Sequence, residues 1–99
     1  MTNPSVVAKN LIWQMANVKA ANPEQNFITV PVHWLDPHYC IGAKMQKRGN
    51  TWLFTAEVSV DIEDGRCLES NSVDIGYSQV NWNRAIECLR DTAAPYCRR

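Results

Sequence analysis

His33, His38 and Cys40 lie together in the segment HWLDPHYC, and Cys67 follows further along the chain. Imidazole nitrogens and thiolates bind zinc, so these four could close a tetrahedral site. Structural zinc sites, however, bring ligands in closely spaced pairs, one pair from each half. Here Cys67, Cys88 and Cys97 each stand alone, and there is no CxxC. No metal and no cofactor is expected. An imidazole beside a thiol can also depress the thiol pKa and make a nucleophile. The strand pairing derived below sets His33 opposite Cys40, with Ser59 next in the row. Such a pair would make a small enzyme or a thiol sensor, yet a flat sheet face supplies neither pocket nor oxyanion hole. Glu57, Asp61 and Asp74 share that face with Thr29, Thr55, Ser70 and Ser72. Carboxylates on an open face stay solvated, so no acid–base pair is expected among them.

Composition narrows the field further. The chain has 99 residues, 45% of them apolar and 20% charged, which suits one folded domain spanning residues 1–99. Ten basic residues balance ten acidic ones. A net charge of zero supplies no long-range attraction to nucleic acid or to an anionic membrane. No apolar run has the length of a membrane helix. Met1 reads as an initiator, and Met1 to Val7 lacks the basic and apolar regions of a secretory signal. A cytoplasmic location is therefore expected, with all four cysteines reduced.

The elements that must position these groups follow from spacing. Asn3-Pro4 is an N-cap followed by a first-turn proline. Val7, Ala8, Leu11, Met15 and Val18 then recur at helical intervals, and Asn22-Pro23 ends the pattern. Gly49-Asn50 forms a two-residue hairpin tip. That tip pairs Met45 with Phe54, Ala43 with Ala56, Ile41 with Val58 and Tyr39 with Val60. One face is wholly apolar, and a one-residue slip would scramble it. A four-residue loop, Leu35 to His38, pairs Trp34 with Tyr39, Val32 with Ile41, Val30 with Ala43 and Ile28 with Met45. Pro31 confines that strand to an edge. An Asp64-Gly65 turn pairs Ala56 with Val73, Phe54 with Ile75 and Trp52 with Tyr77. It leaves Glu69 and Asn71 on the apolar face, which predicts a bulge or an uncovered corner. A last helix, capped by Ser78 or Asn81, carries Trp82, Ala85, Ile86, Leu89 and Ala93 on one side and stops at Pro95. The predicted fold is α+β in two layers. A four-stranded antiparallel meander has an N-terminal and a C-terminal helix packed on one face, in the order α-β-β-β-β-α.

The helix–sheet–helix order resembles that of the double-stranded-RNA-binding domain. That family grips phosphates with a lysine-rich start to its last helix. The matching segment here, Ser78-Gln79-Val80-Asn81-Trp82-Asn83, has no lysine, and the sheet has one strand more. Lys44, Lys47 and Arg48 near the first hairpin are the residues left for weak nucleic-acid binding, which is not the expected role.

The first helix has a second apolar stripe. Trp13 lies about 160° around the helix from Leu11, the centre of the core stripe. Val6, Ala16 and Ala20 lie near it. On the outer sheet face Phe27 and Leu53 point outward with Gln46 between them. An exposed stripe built around tryptophan suggests a contact. The expected function is a small non-enzymatic protein-binding module, acting as an inhibitor or adaptor on another protein or on a second copy of itself. Its expected contact residues are Val6, Trp13, Ala16, Ala20, Phe27, Lys44, Arg48 and Leu53.

Overall fold

The computed structural model describes residues 3–60, 66–77 and 79–97. The elements run α1 (Pro4–Ala21), β1 (Phe27–Thr29), β2 (His33–Trp34), β3 (Tyr39–Arg48), β4 (Thr51–Val60), β5 (Arg66–Asp74) and α2 (Trp82–Ala93), then a 3-10 turn over Ala94–Tyr96. The antiparallel sheet is ordered β1-β3-β4-β5, with β2 also paired to β3. Both helices pack on one face of it.

Local chemistry sets the boundaries. The Asn3 side chain accepts from the Ser5 amide at 2.9 Å and from the Val6 amide at 3.4 Å, capping α1 ahead of Pro4. Asn81 caps α2 through the Arg84 amide at 3.3 Å. The expected Asp64-Gly65 turn, together with Asp61 and Ser78, lies outside the described residues. Gly76 hands the chain from β5 to α2 with φ of 127°. A Cβ there would run into the Gln79 carbonyl, so the turn needs glycine on both counts.

The β3–β4 register is the expected one, residue for residue, from Tyr39↔Val60 to Arg48↔Thr51. Its apolar face, Ile41, Ala43, Met45, Phe54, Ala56 and Val58, joins Val7, Ala8, Leu11, Ile12 and Met15 of α1 and Ala85, Leu89 and Ala93 of α2 in one core. Trp82 and Ile86 are half-buried at its margin.

The first expected strand needs correction. Ile28 does face Met45, but beyond Pro31 the register slips by one, to His33↔Ile41 and Trp34↔Cys40. The cause is the loop. Asp36 Oδ1 accepts from the His38 amide at 2.6 Å and from the Tyr39 amide at 2.8 Å, while Leu35 N–H bonds the Tyr39 carbonyl at 2.8 Å. This Asx-type closure leaves three loop residues instead of four. The extra residue is absorbed at Pro31–Val32, where proline cannot donate to the ladder anyway. Leu35 is therefore in the core, while Val32 and Trp34 are turned outward and exposed.

The β4–β5 pairing is also shifted, by two residues, to Phe54↔Val73 and Ala56↔Asn71. Ile75, not Tyr77, meets Trp52, donating to its carbonyl at 2.9 Å, and Tyr77 is exposed. The even shift keeps Glu69 to Ile75 on their expected faces, whereas beyond the bulge the shift is three residues and Cys67 turns to the outer face beside Ser59. The predicted bulge is present, between the pairs Val58↔Glu69 and Ser59↔Cys67.

Phe54 is fully buried at the centre of the core. Phe54→Ala is expected to cost about 3–5 kcal/mol. Denaturant unfolding followed by circular dichroism checks this, and a loss under about 1 kcal/mol would contradict the assigned face.

Candidate functional site

The pairing lays out the uncovered sheet face as four rows. Phe27, Gln46, Leu53 and Asp74 make the first, and Thr29, Lys44, Thr55 and Ser72 the second. Gly42, Glu57 and Ser70 make the third, and Trp34, Cys40, Ser59 and Cys67 the fourth. Val32 folds over Gly42, where an added Cβ would come within 3.4 Å of its Cγ1. A shallow recess of ≈ 150 Å³ opens beside it, lined by Thr29, Val32, Lys44 and Glu57 among others. Lys44 Nζ lies 2.6 Å from Glu57 Oε1 across its floor. The Thr55 and Ser72 hydroxyls bond each other at 2.8 Å. Much of this face is thus polar chemistry that satisfies itself.

The expected His33–Cys40 pairing is overturned. The one-residue slip puts His33 on the Ile41 side of the sheet and Trp34 opposite Cys40. Cys40 is buried, and its thiol contacts the Ser59 carbonyl at 3.7 Å. Among the described residues no three His, Cys, Asp or Glu side chains gather as a metal site. None of the four cysteines is in a disulfide. Cys40 and Cys67 share a row with Ser59 between them, two strand spacings or roughly 10 Å apart, beyond disulfide reach. The basic residues also part company. Lys44 is held by Glu57, Arg48 is exposed at the hairpin end, and Lys47 alternates to the opposite face. They form no single cationic patch.

The expected contact residues fall into two groups on opposite sides of the domain. Phe27, Leu53, Lys44 and Arg48 belong to the uncovered sheet face or its hairpin end, with Phe27 exposed and Leu53 half-buried. Val6, Trp13, Ala16 and Ala20 belong to the face of α1 turned away from the sheet. Trp13 is 70% exposed and Val6 54%, with Ala20 exposed and Ala16 half-buried. The residues that dock α1 are Val7, Ala8, Leu11, Ile12 and Met15, so the fold uses the other side of the helix. Lys9, one turn before Trp13, is exposed, and Lys19 lies 5.4 Å over the Trp52 ring. The helix carries no acidic residue.

Sequence spacing missed a polar cluster between β5 and α2. Asn71 Nδ2 donates to Thr92 Oγ1 at 2.9 Å and to Glu69 Oε2 at 3.0 Å. Tyr96 Oη donates to Glu69 Oε1 at 3.2 Å, and Thr92 Oγ1 donates to the Cys88 carbonyl at 2.7 Å. Tyr96 also packs on Tyr39, with ring centroids 5.2 Å apart. The misplaced polarity of Glu69 and Asn71 was the signal, but their partners come from the other end of the chain. The cluster explains how polar side chains survive on the core side of β5, because each is hydrogen-bonded. Its bonds are spent internally, which marks it as structural.

Burial pushes the Cys88 thiol up, and the Asp91 carboxylate adds to this against opposing hydrogen bonds. Burial and then the Asp36 carboxylate push Cys97 up. Raised folded-state values mean that the unfolded thiols lose protons first as pH rises. The stability these neutral thiols hold is therefore complete below the unfolded value and declines as pH climbs past about 9. Alkylation mapped by mass spectrometry should label exposed Cys67 in the native protein before Cys40, Cys88 or Cys97. Equal labelling of all four would contradict the burial described.

No protein-family model, characterised protein or solved structure matches this chain, so the meaning of its two free faces rests on their own geometry.

Proposed function

We propose that this chain is a small non-enzymatic protein-binding module whose working surface is the outer face of α1. It acts by occupying the surface of another polypeptide, as an inhibitor or adaptor does. The observation that carries this reading is Trp13, 70% exposed at the middle of a helix whose docking residues all lie on the other side. Leaving an indole in water forgoes the gain from burying it, about 25 cal/mol per Å² of apolar surface. Tryptophan is also the residue most enriched among interface positions that dominate binding energy. Val6, Ala16 and Ala20 flank the indole with small apolar groups, and exposed Lys9, one turn before it, can keep its ammonium in water at the edge of a contact. The rival readings lack support of this kind. The register separates His33 from Cys40, and Glu57 already occupies Lys44.

Affinity capture with the whole chain as bait tests the reading. The extract of the native cell serves as prey, together with a differently tagged copy of the chain. Trp13→Ala should weaken capture of the specific partner by more than about 1 kcal/mol, roughly fivefold. Its melting temperature should stay within a few degrees of the wild type. Trp82→Ala, at the core margin of α2, should instead lower the melting temperature. Capture unaffected by Trp13→Ala, or a Trp13→Ala protein that unfolds, would sink the proposal.

A further inference from the structure

A second surface, apart from α1, lies at the open edge of the sheet. We infer that β5 pairs antiparallel with β5 of a second copy, so that one sheet runs through both chains, and that the two α2 helices meet beside it through reciprocal Arg84–Asp91 ion pairs.

The two edges of the sheet are unlike. At one, β1 has three residues and β2 two, with Pro31 between them. Short strands and proline are means by which natural sheets block edge pairing. At the other, β5 has nine residues with no proline and no lysine, and it ends the strand order. Trp52 directs both its N–H and its carbonyl to the β5 side, bonding Gly76 and Ile75. Alternation then turns the backbone groups of Glu69, Asn71 and Val73 to β4, and those of Ser70, Ser72 and Asp74 to the open edge. The Asp74 carbonyl accepts from Arg84 Nη1 at 3.2 Å, which agrees with that direction. Ser70 and Ser72 are exposed, and among the described residues no further strand meets them.

The bulge sets the register. It interrupts the ladder at Leu68, so the regular edge groups run from Ser70 to Asp74, centred on Ser72. A two-fold axis at Ser72 pairs Ser72 with its own copy and Ser70 with Asp74 of the second chain. Each such pair exchanges two backbone bonds. Ser70 and Asp74 share the outer face, so the hydroxyl can also donate to the carboxylate.

Charge names the second copy as the occupant. Helix α2 runs antiparallel to β5: Arg84 meets Asp74, the Cys88 thiol donates to the Asn71 carbonyl at 3.6 Å, and Tyr96 reaches Glu69. Cys88 therefore faces β5. Arg84 and Asp91 lie within about 60° of it around the helix, on the flank above the open edge, while Glu87 lies about 100° away and points to solvent. The midpoint of Arg84 and Asp91 falls at Cys88, level with Asn71 and Ser72. A two-fold axis at Ser72 thus brings Arg84 toward Asp91 of the second copy, and Asp91 toward its Arg84. Opposite charges meet twice, as an isologous contact requires. Both side chains are exposed, and Asp91 gives one oxygen to neighbouring Arg90 at 3.2 Å. Its second oxygen and the remaining Arg84 N–H groups serve the pair. An unrelated extended peptide supplies the backbone bonds without these reciprocal pairs.

Sedimentation equilibrium of the whole chain, from low to high micromolar concentration, tests this, with circular dichroism as the check on folding. A monomer–dimer equilibrium is expected. Ser72→Pro removes an N–H that faces water in the single chain, so it should abolish the dimer and leave the fold. Arg84→Asp and Asp91→Arg suit the first and last turns of a helix and should keep α2 intact. Each alone should raise the dissociation constant by about tenfold, and the double variant should restore it. In a Cys67→Ser background, Ser72→Cys should give a disulfide-linked dimer on mild oxidation, because the paired Cα atoms lie about 5.5 Å apart. A chain that stays monomeric throughout overturns the inference. So does a dimer indifferent to either charge reversal, or a double variant that fails to recover. These outcomes decide the matter even where Ser72→Pro misfolds. Trp13→Ala should leave this dimer unchanged; a dimer lost in that variant seats the second copy on α1 and overturns the β5 assignment.

Discussion

Burial of one side of the β3–β4 hairpin beneath both helices is the constraint on which the other features depend. The hairpin has ten residues in each strand, and its core-facing pairs are apolar on both sides. Fixing the register of such a pair fixes which side chains face the helices, because strand side chains alternate with period two. Each helix needs only one stripe to cover that surface. Leu11 and Met15 on α1, and Ala85 and Leu89 on α2, all reach the same core. A two-layer domain arranged this way necessarily leaves two surfaces uncommitted: the far side of the sheet and the far sides of the helices.

Those two surfaces have opposite characters, and the difference guides the functional reading. Groups on the sheet surface largely satisfy one another, through the Lys44–Glu57 ion pair and the Thr55–Ser72 hydroxyl contact. A partner docking there would have to desolvate or break bonds already made. The α1 surface holds no such bonds to break. Its tryptophan, valine and alanines gain by leaving water, and exposed Asn10 and Asn17 bring polar groups that can serve either as donor or acceptor. The β5 edge adds a third solution, in which polar residues on the core side are retained by tying Asn71 to Thr92 and Glu69 to Tyr96. This cluster secures the middle of β5 to the end of α2 and the turn after it, across a gap of more than twenty residues.

Local sequence alone determined the helices, the central hairpin and the sidedness of that hairpin. Asn3-Pro4 and Asn81 are capping signals that act within one turn, and Gly49-Asn50 closes a hairpin through backbone angles that few other pairs tolerate. The second stripe on α1 was legible for the same reason, since helical geometry places Trp13 away from Leu11 whatever the rest of the chain does. Tertiary structure decided what depends on competition between distant groups. The Asp36 turn drew Leu35 inward and expelled Trp34, because two hydrogen bonds from His38 and Tyr39 favoured a shorter loop and Pro31 offered a place to absorb the slip. That slip separated His33 from Cys40 and removed a dyad that spacing had suggested. The polar cluster likewise needed Thr92 and Tyr96 to arrive from the last helix and turn. Spacing reveals the faces of an element whose register is fixed locally, but where a loop competes only the packed chain decides the face, and what meets it there.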